Sequence, residues 1–229
     1  MLAKKLRNAA FLCLRRQKKI TMDSVCEKRI YVDMDDVLSR TTDTYAQIIA
    51  REFGKQARFQ DLVSFDLKES FGLTDTEFHH FFALVHEPDV LLSYEPVAGA
   101  LSVLSGWARQ GHHIDIVTGR PFSAKKASLA WLDAHRVPYA AFTMVDKYNR
   151  TANTTSTVIT KDQLIHRRYD LAVEDSREMA IFLADRLTVP VILYDRPWNA
   201  QFLEHKNIRR VCSWQEITIS PHTCRHNPE

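Results

Sequence analysis

The sequence of 229 residues has no apolar run approaching the ~18 residues of a membrane-spanning helix, which excludes a protein built on such spans. Its four cysteines, Cys13, Cys26, Cys212 and Cys224, fall at none of the spacings used by metal sites or redox pairs, so a reducing cytoplasm is the simplest compartment. His79-His80 and His112-His113 have no third ligand at usable spacing, and His222, Cys224 and His226 lie in a tail from residue 218 that reads as flexible. No segment repeats. Residues 1 to 22 lack acidic groups altogether and hold seven Lys or Arg. Taking those seven from the 31 basic residues leaves 24 against 28 acidic ones, so the body carries −4 where the whole chain carries +3. A mildly acidic body argues against stable nucleic-acid binding.

The opening "MLAKKLRNAAFLCLRRQKK" is basic and weakly amphipathic, as an organellar transit peptide or a membrane-surface helix is. Its apolar runs are too short and too interrupted for a secretory signal, and Met22 would serve as a start. Residues 1 to 22 are therefore read first as a dispensable extension, with targeting, or a helix packed on the domain, as alternatives.

What is present fits one full domain with a sizeable insertion: 45% hydrophobic and 26% charged residues. "TTDTYAQIIAREFG" puts Tyr45, Ile48, Ile49 and Phe53 on one helical face, with Thr41 or Thr42 as cap and Gly54 as stop. "TDTEFHHFFALVHEP" offers a capping box, Thr74 with Glu77, and Pro88 as closure. Residues 39 to 94 thus read as a small helical cap inserted into a core of residues 23 to 38 and 95 to 217. Phe65, Phe71, Phe78, Phe81 and Phe82 have the helical spacing of that cap's own core, with stacking on a ligand ring as the sharper alternative. From "EPVAGALSVLSGWARQG" onward helices alternate with the strands "HIDIVTG", "YAAFTMV", "DLAVED" and "VPVILYD". That alternation predicts an α/β, Rossmann-like fold with a parallel sheet covered on both faces, whose sites lie at the carboxyl ends of the strands.

Those ends carry the chemistry. "RIYVDMDDVL" sets Asp33, Asp35 and Asp36 within four positions directly after the first strand. Two carboxylates about 4 Å apart repel by roughly 1 kcal/mol even in water, and by more in a protein, so the cluster calls for a cation. Thr118 follows "IDIV", Lys147 follows "FTMV", and Glu174-Asp175 follow "DLAV". This order resembles the haloacid dehalogenase superfamily: Asp-x-Asp after a strand, then Thr or Ser, then Lys, then an acidic pair. Within it, "VDMDDVL", "EPVAGA", "TMVDK", "VEDS" and "CSWQEI" are similar to the 5'(3')-deoxyribonucleotidase family, which has Gly where Asp36 stands. "TGRP" departs from that family's Thr-Ser-Pro and resembles other phosphatases and the phosphatase half of polynucleotide kinases.

The resemblance implies a Mg²⁺-dependent phosphomonoesterase. Asp33 would be the nucleophile and Asp35 the general acid and base. The metal would be held by Asp33, the Asp35 backbone carbonyl and Asp175, with Glu174 supporting the site. Thr118, Gly119 and a lysine would bind the phosphate, and Arg120 either binds substrate or caps the next helix. The lysine is Lys147 or Lys161: "TMVDK" favours the first, and a helix-start position favours the second. The substrate class is a small phosphorylated metabolite, first a (deoxy)nucleoside monophosphate, with a sugar phosphate or polynucleotide end as alternatives and a catalytically silent binding protein as the reading from another class. Deleting residues 1 to 21 should leave soluble expression and turnover unchanged. Loss of soluble protein in the truncated chain would show that the segment packs on the domain.

Overall fold

The computed structural model describes residues 26–56, 58–148, 157–201 and 204–219. Residues 1 to 22, the tail from 220 on, and most of the polar stretch after Tyr148 lie outside the described residues, as do the readings made of them. Glu27–Ile219 forms one compact unit.

Its centre is a parallel sheet of seven strands among the described residues: β1 Arg29–Asp33, β2 His113–Thr118, β3 Ala141–Asp146, β4 Val158–Thr160, β5 Leu171–Glu174, β6 Val191–Tyr194 and β7 Ile208–Val211, in the order β4-β3-β2-β1-β5-β6-β7. β1 is central because it is apolar on both faces. Ile30 and Val32 pack with Ile116, Val173 and Trp107 on one side, and Tyr31 with Val117, Ala172 and Leu183 on the other. Each such buried side chain contributes about 1.5–3 kcal/mol, which suits a strand covered by helices on both faces. The register sets Asp33 opposite Val117 of β2 and Val32 opposite Val173 of β5. Asp33, Thr118 and Glu174 therefore leave the sheet at one edge.

The two outermost strands escape the sequence pattern. β4 is three residues long at the end of a polar stretch, and β7 is "IRRV", with both arginines exposed on an edge. Each pairs on one side only, so neither needs the apolar run that marks a buried strand.

Between β1 and β2 the chain is helical: α1 Thr41–Phe53, α2 Leu67–Ser70, α3 Asp75–Leu84 and α4 Pro88–Leu92. α1 ends on Gly54 at φ 64, a left-handed conformation that glycine adopts without strain. Its start differs from expectation. Arg40 is the N-cap without a side-chain bond, while Thr41 and Thr42 sit inside the first turn and turn their hydroxyls to Asp35 and Asp36. The Thr74–Glu77 capping box is present on α3. Pro88 opens α4 rather than closing α3, since its missing N–H is harmless in a first turn. Ile48, Ile49, Leu62, Phe71, Leu73, Phe81 and Val85 form a separate hydrophobic cluster for this segment. α5 Ala100–Arg109 then leads into β2. After β2 come α6 Lys125–Ala134, the single turn α7 Lys161–Leu164, and α8 Arg177–Arg186 behind β5. No helix among the described residues is long and apolar enough to cross a membrane.

Phe81 is fully buried, so Phe81→Ala should cost about 3–5 kcal/mol of stability. Urea denaturation of the two proteins measures it, and a loss below about 1 kcal/mol would show that the helical segment collapses onto the void.

Candidate active site

The site grows from the end of β1. Asp33 is 5% exposed, and its Oδ1 accepts a hydrogen bond from Lys147 Nζ at 2.6 Å. The same ammonium donates to Glu174 Oε1 at 2.5 Å and lies over the Tyr31 ring. Lys147 reaches this place because β3 runs on to Asp146 and turns immediately after it. Gly119 leaves room for it. A Cβ there would stand 2.8 Å from the Tyr148 ring and 3.2 Å from Lys147 Cδ. Thr118 is fully buried, and its Oγ1 accepts from the Arg120 N–H.

Glu174 is saturated by the protein. Its Oε1 also accepts from the Tyr31 hydroxyl, and its Oε2 from the backbone N–H groups of Asp175 and Ser176. Asp175 is held differently: Trp198 Nε1 donates to its Oδ2 at 2.9 Å, and Asn199 Nδ2 donates to its backbone carbonyl at 2.8 Å. Asp33, Glu174 and Asp175 each offer a carboxylate oxygen within 4.8 Å of the others. Burial, then the charge of Glu174, push Asp33 up to about 8 against the pull of Lys147. Burial, Glu174 and Asp33 likewise push Asp175 well above the usual carboxylate range. Lys147 pairs with two of the three carboxylates, and ionising all three together would leave an excess of two negative charges, which is why burial and mutual repulsion raise Asp33 and Asp175. The donors are all oxygen, so a hard divalent cation such as Mg²⁺ fits, and Asp33 and Asp175 each keep an oxygen that no described residue occupies.

Asp35 points to the other side of the strand end. Arg120, 3% exposed, grips it with Nε at 3.1 and 3.0 Å from the two oxygens and Nη2 at 2.6 Å from Oδ1, and Thr41 donates a fourth bond at 2.8 Å. Burial would raise Asp35, but the charge and hydrogen bonds of Arg120, with Thr41, hold it below the ordinary value. Arg120 is itself anchored on Ser128 and lies 5.3 Å from the Tyr94 ring centroid. It neither caps α6 nor stands free, and its partner is an acid 85 residues away.

Asp36, where the similar family has Gly, is buried. It sits at φ 54, the left-handed region in which Gly is at ease and in which Asp is tolerated when it bonds locally. Its carboxylate accepts from the Thr42 N–H and hydroxyl, and so caps α1, while its carbonyl accepts from the Arg196 guanidinium. Burial pushes Asp36 up to about 6 against Arg196 and Thr42.

A cavity of about 370 Å³ opens from Asp33, Asp35 and Asp175 towards the helical segment. Its lining is rich in aromatic side chains, with Tyr45, Phe65, Phe78 and Phe82 from the helical segment and Tyr148 and Trp198 from beside the acids. The phenylalanines read as one set in the sequence are divided by the fold: Phe71 and Phe81 pack inside the segment, and Phe65, Phe78 and Phe82 line the cavity. Lys161 is not brought here. It pairs loosely with Glu178 at 3.4 Å and lies near Phe182. Trp198, Asn199 and Arg196 went unread in the sequence, although "DRPWN" directly follows the strand "VILY" and so had to emerge at the same edge as the acids.

Residues 27 to 220 match the family model described as 5' nucleotidase, deoxy (pyrimidine), cytosolic type C protein. The chain is 24% identical over 190 residues to the "Putative nucleotidase" BH1399 of Halalkalibacterium halodurans, which covers 83% of this chain and 90% of that protein. It is 22% identical over 203 residues to the "Putative nucleotidase" YqfW of Bacillus subtilis, covering 87% and 96%. Among solved structures, a haloacid dehalogenase-like family hydrolase from Streptococcus pneumoniae shares the fold, with TM-score 0.52 and 12% identity over 76% of this chain and 86% of that one.

Placement separates the two lysines experimentally. Lys147→Ala should lower hydrolysis of an aryl phosphate at least tenfold, since a charge-assisted bond is lost, and Lys161→Ala should leave it within about twofold. A large loss confined to Lys161→Ala would reverse the assignment.

Proposed function

Because the chain belongs to the cytosolic type C 5'-nucleotidase family of haloacid dehalogenase-like phosphatases, we propose that it is a Mg²⁺-dependent phosphomonoesterase that acts through an aspartyl-phosphate on Asp33, with (deoxy)nucleoside monophosphates as substrates. The observation that carries this reading is the buried pairing of Asp33 with Lys147, with Asp33 and Asp35 together lining a cavity rich in aromatic side chains.

A carboxylate oxygen of Asp33 attacks phosphorus as the bond to the leaving oxygen breaks, and that oxygen takes a proton from the Asp35 carboxyl group. Asp35 then removes a proton from water, whose oxygen attacks the same phosphorus and returns Asp33 as carboxylate. Lys147, the Thr118 hydroxyl and the backbone at Gly119 bind the other phosphoryl oxygens, where charge is stabilised in the transition state. Arg120 keeps Asp35 ionised in the resting chain, as the second step requires. A dianionic phosphate beside Asp35 raises its proton affinity, as the first step requires. Asp33, Asp175 and the Asp35 carbonyl would hold Mg²⁺, which would supply positive charge to offset repulsion between nucleophile and phosphate. Glu174 serves as the fixed counter-charge of Lys147. Residues 39 to 94 act as a cap: their aromatic side chains receive the leaving group and exclude water from the phosphate. A nucleobase presents a flat face to such a wall, and 370 Å³ lies in the range of small-molecule sites.

Asp33→Asn keeps the shape of the nucleophile and removes its charge, so it should abolish turnover of nucleoside monophosphates and aryl phosphates alike. Asp35→Asn should lower turnover by ~10²-fold or more. Steady-state assays with and without Mg²⁺ measure both, and near-normal turnover by Asp33→Asn would contradict the covalent route.

A further inference from the structure

Trp198 stands in the short turn Pro197–Asn199 just after β6. Its indole N–H donates to Asp175 Oδ2 at 2.9 Å. Its ring meets the edge-on rings of Phe59 at 5.6 Å and Phe65 at 6.4 Å, both on the helical segment. Phe65 also stacks on Tyr148 at 5.9 Å, next to Lys147. The turn itself is pinned: Asn199 Nδ2 donates to the carbonyls of Asp175 and Tyr194 at 2.8 Å each, and Arg196 donates to the carbonyl of Asp36. One side chain thus touches both a carboxylate of the acidic cluster and the aromatic wall of the cavity.

We propose that Trp198 is a positioning residue through which the aromatic wall sets the orientation of Asp175 toward the divalent cation, a role that rests on the metal site argued above. The terminal torsion of an aspartate is broad, so a carboxylate without a fixed donor samples many orientations. A hydrogen bond to one oxygen fixes the direction of the other. Donors that orient a metal-binding group in this way change metal affinity by about 10–100-fold when removed. Because Phe59 and Phe65 abut the same indole, a ring that fills the cavity restrains Trp198 and Asp175 together. Leaving-group binding and cation binding therefore reinforce each other.

The test is binding of Mn²⁺ to the full chain without substrate, followed by water-proton relaxation, beside the KM for a nucleoside monophosphate. Trp198→Phe keeps an aromatic ring and loses the donor. It should weaken Mn²⁺ binding about tenfold while the melting temperature of the metal-free protein is unchanged. Phe65→Leu, which removes one of the two rings abutting the indole, should weaken substrate-free Mn²⁺ binding by less than Trp198→Phe and raise KM, and Mn²⁺ affinity equal to wild type in this variant would overturn the part assigned to the aromatic wall. Unaltered Mn²⁺ affinity in a folded Trp198→Phe protein overturns the role of Trp198. If the wild-type chain binds no divalent cation, the metal-site reading itself falls, and the role of Trp198 with it. A second measurement needs no variant to fold: in a Mg²⁺ titration of the wild-type chain, the indole ¹H–¹⁵N resonance of Trp198 should shift while those of Trp107, Trp131 and Trp214 stay. An unmoved Trp198 resonance also overturns the proposal.

Discussion

The centre of the sheet's carboxyl edge answers one electrostatic constraint: three buried carboxylates, Asp33, Glu174 and Asp175, stand together against a single buried ammonium. Such a cluster is costly in low dielectric, and removing one partner of a buried pair typically costs about 3–5 kcal/mol. The fold meets the constraint with geometry. Tyr31 and two backbone N–H groups saturate Glu174, Gly119 opens the space that Lys147 fills, and the Pro197–Asn199 turn fixes Asp175 from outside. Ionising all three carboxylates at once would still leave two negative charges uncompensated, the condition that a divalent cation would relieve under the proposed function.

Asp35 and Asp36 obey a different logic, although they follow Asp33 by two and three residues. The chain leaves β1 through a left-handed residue at Asp36, which turns Asp35 towards Arg120 and Thr41 and lets Asp36 cap α1. A run of acids that looks like one cluster in sequence thus separates into a group beside Lys147, a group beside Arg120, and a structural cap. The same turn launches the helical segment, so the entry to the cavity and the end of β1 are set by one local conformation.

How far this was legible in the sequence depends on where the information resides. The central strands were readable because burial on both faces demands continuous apolar runs, as in "RIYV" and "LAVE". With the strands located, Asp33, Thr118 and Asp175 had to share an edge. β4 and β7 were not readable, since edge strands lack that demand, and Thr41, Thr42 and Pro88 were misread because local capping rules do not see tertiary partners. The choice between Lys147 and Lys161 needed the turn that ends β3. The partnership of Arg120 with Asp35 needed contacts across 85 residues, and the burial of Asp36 was hidden by a backbone conformation that composition does not reveal. Trp198 lies outside the four strand-end motifs, though at the same edge of the sheet.

The central claim is that Asp33 forms a covalent bond to phosphorus. It is tested most directly by quenching the enzyme during turnover with borohydride, which reduces an acyl phosphate to an alcohol, and locating the reduced residue by peptide mass spectrometry. The account predicts homoserine at position 33, dependent on both substrate and Mg²⁺ and absent from Asp33→Asn. Sustained turnover with Asp33 unmodified, or reduction at a different carboxylate, would contradict it.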